Sequence, residues 1–101
     1  MNVLMVRSKV KEESVADAEA AVEKMFAAIE QAQPEGVHYA SCKLADGVTF
    51  VALLQLDEGV ENPLPALPEF REFVANLEDW RVDGPPIPEQ LTVVGSYGLF
   101  G

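Results

Sequence analysis

Apolar side chains recur along the chain with two different periods, and the change of period marks its elements. Residues 3 to 10, VLMVRSKV, are dense in β-branched and long apolar side chains and end at a charged cluster, which predicts a strand leading into a helix. Val15, Ala18, Val22, Met25, Phe26 and Ile29 then follow at three- and four-residue spacing, a single helical stripe. Ser14, or the acidic pair Glu12 and Glu13, stands where such a helix begins, and Pro34 and Gly36 stop it. From Val37 to Ala45 and again from Val48 to Leu56 the pattern is strand-like. Asp46-Gly47 between the two runs predicts a hairpin with positive φ at both residues. The stretch DEGVENPLPALP is a proline-rich loop with room for a short helical turn, readable either as a lid or as a stapled connector. Phe70, Phe73, Val74, Leu77 and Trp80 or Arg81 restore helical spacing behind a first-turn proline, Pro68. After GPPIPEQ, the run LTVVGSYGLF predicts the last strand.

The order β-α-β-β-α-β is that of an α+β, ferredoxin-like fold, in which a four-stranded antiparallel sheet carries both helices on one face. A sheet whose second face meets water alternates apolar with polar residues. These strands do not. Phe50, Ala52, Leu54 and Leu56 oppose Val51 and Leu53, and Leu91, Val93, Tyr97 and Leu99 oppose Val94 and Phe100. An apolar second face of that size calls for a cover, and a second copy of the same sheet is the economical one, so a homodimer through the sheet face is expected.

At 101 residues the chain is expected to be one domain, residues 1–101, around one core. The formal charge of −10 repels phosphate backbones and anionic headgroups, so neither nucleic acid nor membrane is an expected partner. The opening apolar run breaks at Arg7 without a basic leader and reads as a strand, not a signal. One cysteine, Cys42, makes no intramolecular disulfide, which fits a reducing cytoplasm. Paired metal-ligand spacings, a glycine-rich phosphate loop and a Ser-His-Asp order are absent, so no metal or cofactor is expected.

The VLMVRSKV opening strand, the PEFREFVANL segment behind the proline-rich loop and the closing GPPIPEQLTVVGSYGLF resemble the dimeric α+β barrel proteins, specifically their antibiotic-biosynthesis-monooxygenase-like branch. The resemblance spans nearly the whole chain and is one of pattern. It implies a dimeric barrel. It also implies one of several activities found in that group, which holds cofactor-free monooxygenases acting on aromatics, haem-degrading enzymes and members without an assigned reaction. Cofactor-free members place an Asn and a Trp four residues apart soon after the third strand; here Asn62 is followed at that spacing by Ala66. Asn76 and Trp80 have the spacing but lie late in the second helix. Haem-degrading members put an iron-ligating His near that helix, whereas the chain's one histidine, His38, opens the second strand.

The expected ligand is a small apolar or aromatic molecule held between sheet and helices, with Phe26, Phe50, Asn62, Phe70, Phe73 and Trp80 lining its pocket. His38 is the proton-handling candidate because its unperturbed pKa lies near neutrality, although the sequence identifies no carboxylate to orient it. Arg71 or Tyr97 would steady a developing oxyanion. Cys42, four residues along the same strand, reads as a buried structural thiol. Tyr39, Ser41 and Lys43 form a polar row on the other face of that strand, either lining a cleft or, as the favoured expectation, meeting the partner. The rival expectation is a non-catalytic module that binds a ligand or another subunit.

Overall fold

The structure, a computed structural model, describes residues 2–82 and 84–99. Strand β1 (Asn2–Lys9) leads through a 3-10 turn at Glu12–Ser14 into helix α1 (Val15–Ala32). Hairpin β2 (Val37–Lys43) and β3 (Thr49–Leu56) follows, then a 3-10 turn at Leu64–Ala66, helix α2 (Pro68–Trp80) and strand β4 (Pro88–Thr92). The sheet order is β2-β3-β1-β4 with every neighbour antiparallel, the ferredoxin-like arrangement the sequence predicts.

The apolar stripe of α1 faces inward. Ala18 and Met25 are buried, and Val15, Val22, Phe26 and Ile29 are half-buried. Ser14 occupies the N-cap position without a side-chain bond to the helix, and α1 ends at Gln33 in the left-handed region, φ 46°. Pro68 occupies the first turn of α2, where a missing N–H costs nothing. A packed nucleus of Val10, Ala18 and Phe50, with Val15, Leu77 and Trp80 against it, joins β1, β3 and both helices.

Two local readings are corrected. The β2–β3 turn has positive φ at Gly47 (78°) alone and closes through a Gly47 N–H donated to the Leu44 carbonyl, 3.0 Å. Asp46 keeps an ordinary negative φ because its carboxylate is committed to the turn, accepting from the Val48 and Thr49 amides at 3.0 and 2.9 Å and the Thr49 hydroxyl at 2.6 Å. These bonds, that of Thr49 Oγ1 first, hold its pKa below the usual carboxylate value.

The last strand is the second correction. It starts at Pro88, inside the predicted loop, and ends at Thr92 instead of running to Phe100, which lies outside the described residues. A proline opening an edge strand surrenders no ladder bond. Thr92 pairs with Asn2, the first residue of β1, so residues 93–99 pass beyond the strand that would have held them.

The proline-rich connector is packed on the fold. Leu64 is 0% exposed, and Gly36, φ 75°, lies so close to Val60 that an added Cβ would sit 2.7 Å from Val60 Cγ2. Only glycine combines that φ with that approach.

Candidate functional site

Strand alternation sends Leu4, Val6 and Ser8 of β1, Tyr39 and Ser41 of β2, and Phe50, Ala52 and Leu54 of β3 to the helix side of the sheet. The ladder register sets Leu4 and Tyr39 against Leu54, and Val6 and Ser41 against Ala52, so they form one continuous floor. Helix α2 roofs it with Phe70, Phe73, Val74 and Leu77, and the connector closes one side with Asn62 and Leu64. Between them lies a cavity of about 240 Å³. Ala52 lies in the floor between Val6 of β1 and Ser41 of β2.

Three of the polar residues lining this apolar room, Tyr39, Asn62 and Arg81, have identifiable supports. Tyr39 stacks on Phe26 of α1, ring centres 5.2 Å apart and 7° from parallel, which fixes the phenol. Burial raises its pKa above the ordinary value, so the hydroxyl is neutral and able to donate throughout the working pH range. Asn62 accepts the Leu64 N–H on Oδ1 at 3.0 Å, which leaves its NH2 as the end free for the cavity. Arg81 follows the last turn of α2 in extended conformation, φ −75°, ψ 155°. Three backbone ties hold this corner: a bridge between Arg81 and Val10, Lys11 N–H to Trp80 O at 2.8 Å, and Val82 N–H to Lys9 O at 2.8 Å. They fix the backbone from which Arg81 lines the cavity. No histidine or carboxylate lines the cavity among the described residues.

The Tyr39 environment has a direct consequence. Alkaline titration followed by ultraviolet absorbance should contain a phenol that ionises above about pH 10, and Tyr39→Phe should remove it. A group whose folded pKa is raised holds its stabilising contribution below the unfolded value, so stability should fall as pH climbs beyond ~10.

Of the predicted pocket residues, Phe50, Asn62, Phe70 and Phe73 line the cavity. Phe26 stands behind Tyr39. Trp80 is corrected to a core role against the Val10, Ala18 and Phe50 nucleus. The polar row of β2 faces the helices rather than a partner: Tyr39 and Ser41 reach the cavity, and Lys43 is paired with Glu19 of α1.

His38, Arg71 and Tyr97 are not brought together. Arg71 is exposed and donates to the Pro65 carbonyl at 3.4 Å, and Tyr97 is fully exposed beyond β4. His38 points to the far face of the sheet, where its Nε2 lies 3.1 Å from Asp57 Oδ1. Asp57 is thus the carboxylate neighbour the sequence did not identify. Its signal was the hairpin register, which pairs Val37 with Leu56 and so lays Asp57 beside the start of β2. Helical spacing admitted either Trp80 or Arg81 at the end of the α2 stripe; the structure puts Arg81 against the cavity and Trp80 against the core. Cys42 is exposed, not the buried thiol expected.

No family model matches the sequence, and no curated protein is similar to it by sequence. Solved structures do share its fold. A provisionally assigned antibiotic biosynthesis monooxygenase from Nitrosomonas europaea superposes with a TM-score of 0.75 at 15% identity, over 94% of this chain and 100% of that one. A second provisionally assigned antibiotic biosynthesis monooxygenase, from Caulobacter crescentus, gives 0.71 at 20% identity over 93% and 90%. SnoaB from Streptomyces nogalater, a cofactor-independent oxygenase, gives 0.68 at 16% identity over 96% of each chain. The chain shares the α+β fold of these proteins. A Nitrosomonas europaea protein of unknown function shares that fold too, at TM-score 0.72 and 18% identity, so the fold does not by itself carry an activity. No helix of the described residues is long and apolar enough to cross a membrane.

Proposed function

We propose that the chain is a homodimeric small-molecule-binding protein whose cavity takes a one- or two-ring apolar or aromatic compound and oxidises it as a cofactor-independent monooxygenase. The observation that carries this reading is the cavity: apolar walls around a buried neutral phenol, with Arg81 in the lining. An apolar space of roughly 150 Å³ accepts benzene, so about 240 Å³ suits a substituted ring or a fused pair.

Such a site favours a substrate that supplies its own electrons to dioxygen. A ring ketone with an activated CH2 loses a proton to give an enolate, and the enolate reacts with O2. One oxygen atom becomes the new C=O and the other leaves as water, so CH2 and O2 become C=O and H2O. Tyr39 and Arg81 would hold the enolate oxygen, and aiming preorganised donors at developing charge is worth about 10²–10³ in rate per donor. The proton would pass to water at the rim, since no side-chain base lines the cavity among the described residues. A fold shared with SnoaB supports the reaction class.

The test is oxygen uptake with an enolisable two-ring ketone such as 2-tetralone. The expected result is one O2 consumed per dione formed, with rates reduced by about 10² or more in Tyr39→Phe and Arg81→Gln. Binding without uptake above the uncatalysed background would reject the oxygenase reading. It would leave a carrier, which the absence of a lining base and the Ala66 at the aromatic position of cofactor-free members favour.

A further inference from the structure

A second space adjoins the cavity at the β2 edge of the sheet. It measures about 210 Å³ and lies between helix α1, which gives Glu19, Val22 and Glu23, and the edge strand β2, which gives Ser41, Cys42 and Lys43. Glu19, Val22 and Glu23 recur at three- and four-residue spacing and therefore share one face of α1. Ser41 and Phe50 line this space and the cavity as well, so the two meet at those side chains. Phe50 stands across the ladder from Lys43, and Ser41 from Ala52 of the cavity floor, which places the junction in the inward-facing rows of β2 and β3.

The two spaces differ in chemistry. The cavity carries no carboxylate among the described residues, whereas the second space carries two. Lys43 pairs with Glu19 between β2 and α1, and both side chains are half-exposed, so the pair is open to exchange with a third charge. Glu23 enters none of the ion pairs among the described residues. Two carboxylates against one ammonium leave an uncompensated negative charge here, in a chain whose net charge is −10. A cationic group is therefore favoured by the nearest charge and by the field of the whole protein. An anionic group would meet only Lys43, already held by Glu19.

We propose that the second space is a subsite for a protonated amine, and that the substrate is an aromatic ketone carrying that amine on a short chain. The ring lies in the cavity, the chain passes between Ser41 and Phe50, and the ammonium rests against Glu23. This rests on the ring-binding reading above and adds the charge and shape of the substrate's second half. An ammonium only donates, and the carboxylates of Glu19 and Glu23 and the hydroxyl of Ser41 accept. An alkylamine with a pKa near that of lysine, about 10.4, stays charged through the neutral range. Holding that charge outside the apolar cavity also avoids the desolvation that burial there would cost.

Calorimetric titration with probes that share one ring and have similar chains tests it. They are 2-(1-naphthyloxy)ethylamine, the neutral ether 1-(2-methoxyethoxy)naphthalene and the acid 1-naphthyloxyacetic acid, with 1-naphthol as the bare ring. The amine should bind roughly 10-fold tighter than the ether, the worth of one charge-assisted hydrogen bond, and the acid more weakly than either. Glu23 is exposed on α1, so Glu23→Gln should fold as the parent does, and in it the amine's advantage over the ether should disappear. In 15N spectra the amine should shift Val22, Glu23 and Cys42 in addition to the residues that 1-naphthol shifts. No binding of any probe, 1-naphthol included, would overturn the ring-binding reading and the subsite with it. Binding of 1-naphthol, with the amine no tighter than the ether, would overturn the subsite alone. An advantage of the amine that persists in Glu23→Gln would do the same, since it would report the net charge of the chain and not this space.

Discussion

Replacing Phe50 with alanine should destabilise the protein by about 3–5 kcal/mol, the cost of emptying a large aromatic site in a core that relaxes only partly. Phe50 is 9% exposed and clusters with Val10, just past β1, and Ala18 of α1, while Leu77 and Trp80 of α2 pack against that nucleus. Domains of this size hold only about 5–15 kcal/mol in total, so the loss should lower the midpoint of thermal unfolding by roughly 12 °C or more. Calorimetry of the purified variant checks it. A shift of a degree or two would mean that the nucleus is not where the stability lies.

Ala52→Phe should do the opposite to stability and more to binding. Enlarging a residue in a filled core forces strain of about 1–3 kcal/mol, but Ala52 faces an open space of about 240 Å³. The new ring should occupy that space at little or no cost, and by burying apolar surface it can raise the unfolding midpoint. Ligand affinity should fall by roughly two orders of magnitude or more, equivalent to about 3 kcal/mol. The pairing of the two results is what discriminates. A stable variant that no longer binds places the ligand in the cavity, whereas an unstable one means that the space is not open in solution.

How far the fold was legible in the sequence follows from what each residue had to compete with. The stripe from Val15 to Ile29 and the alternation from Phe50 to Leu56 carry their own period, and both formed as read. Local chemistry decided the hairpin loop, where the Asp46 carboxylate found three donors within three residues and removed any need for positive φ there. The last strand was misplaced because strand propensity says nothing about whether an edge is available. Residues 93–99 have the propensity and lack the edge, while Pro88–Thr92 have weak propensity and sit beside β1.

The site was legible in half. Phe50, Phe70 and Phe73 followed from periodicity, because the apolar side of each element had to face the space between them, and Asn62 came from the family resemblance. Which side of β2 faced that space was undetermined, since Tyr39, Ser41 and Lys43 on one side and His38, Ala40 and Cys42 on the other are equally plausible inward sets. The ladder settled it by pairing Tyr39 with Leu54 and Ser41 with Ala52, and with that the proton-handling group moved out of the cavity and the phenol moved in. Trp80 and Arg81 exchanged roles for a similar reason: Trp80 completes the last turn of α2 over the core, and the chain leaves the helix at Arg81.

The central claim is that the space between sheet and α2 binds a small aromatic molecule, and nuclear magnetic resonance tests it most directly. Titrating 15N-labelled protein with 1-naphthol should give saturable shifts at Tyr39, Ser41, Ala52, Leu64, Phe73 and Arg81, all lost in Ala52→Phe. No saturable shift up to the solubility of the probe, or shifts confined to Met5, Val51 and Leu53 on the far face, would contradict the account.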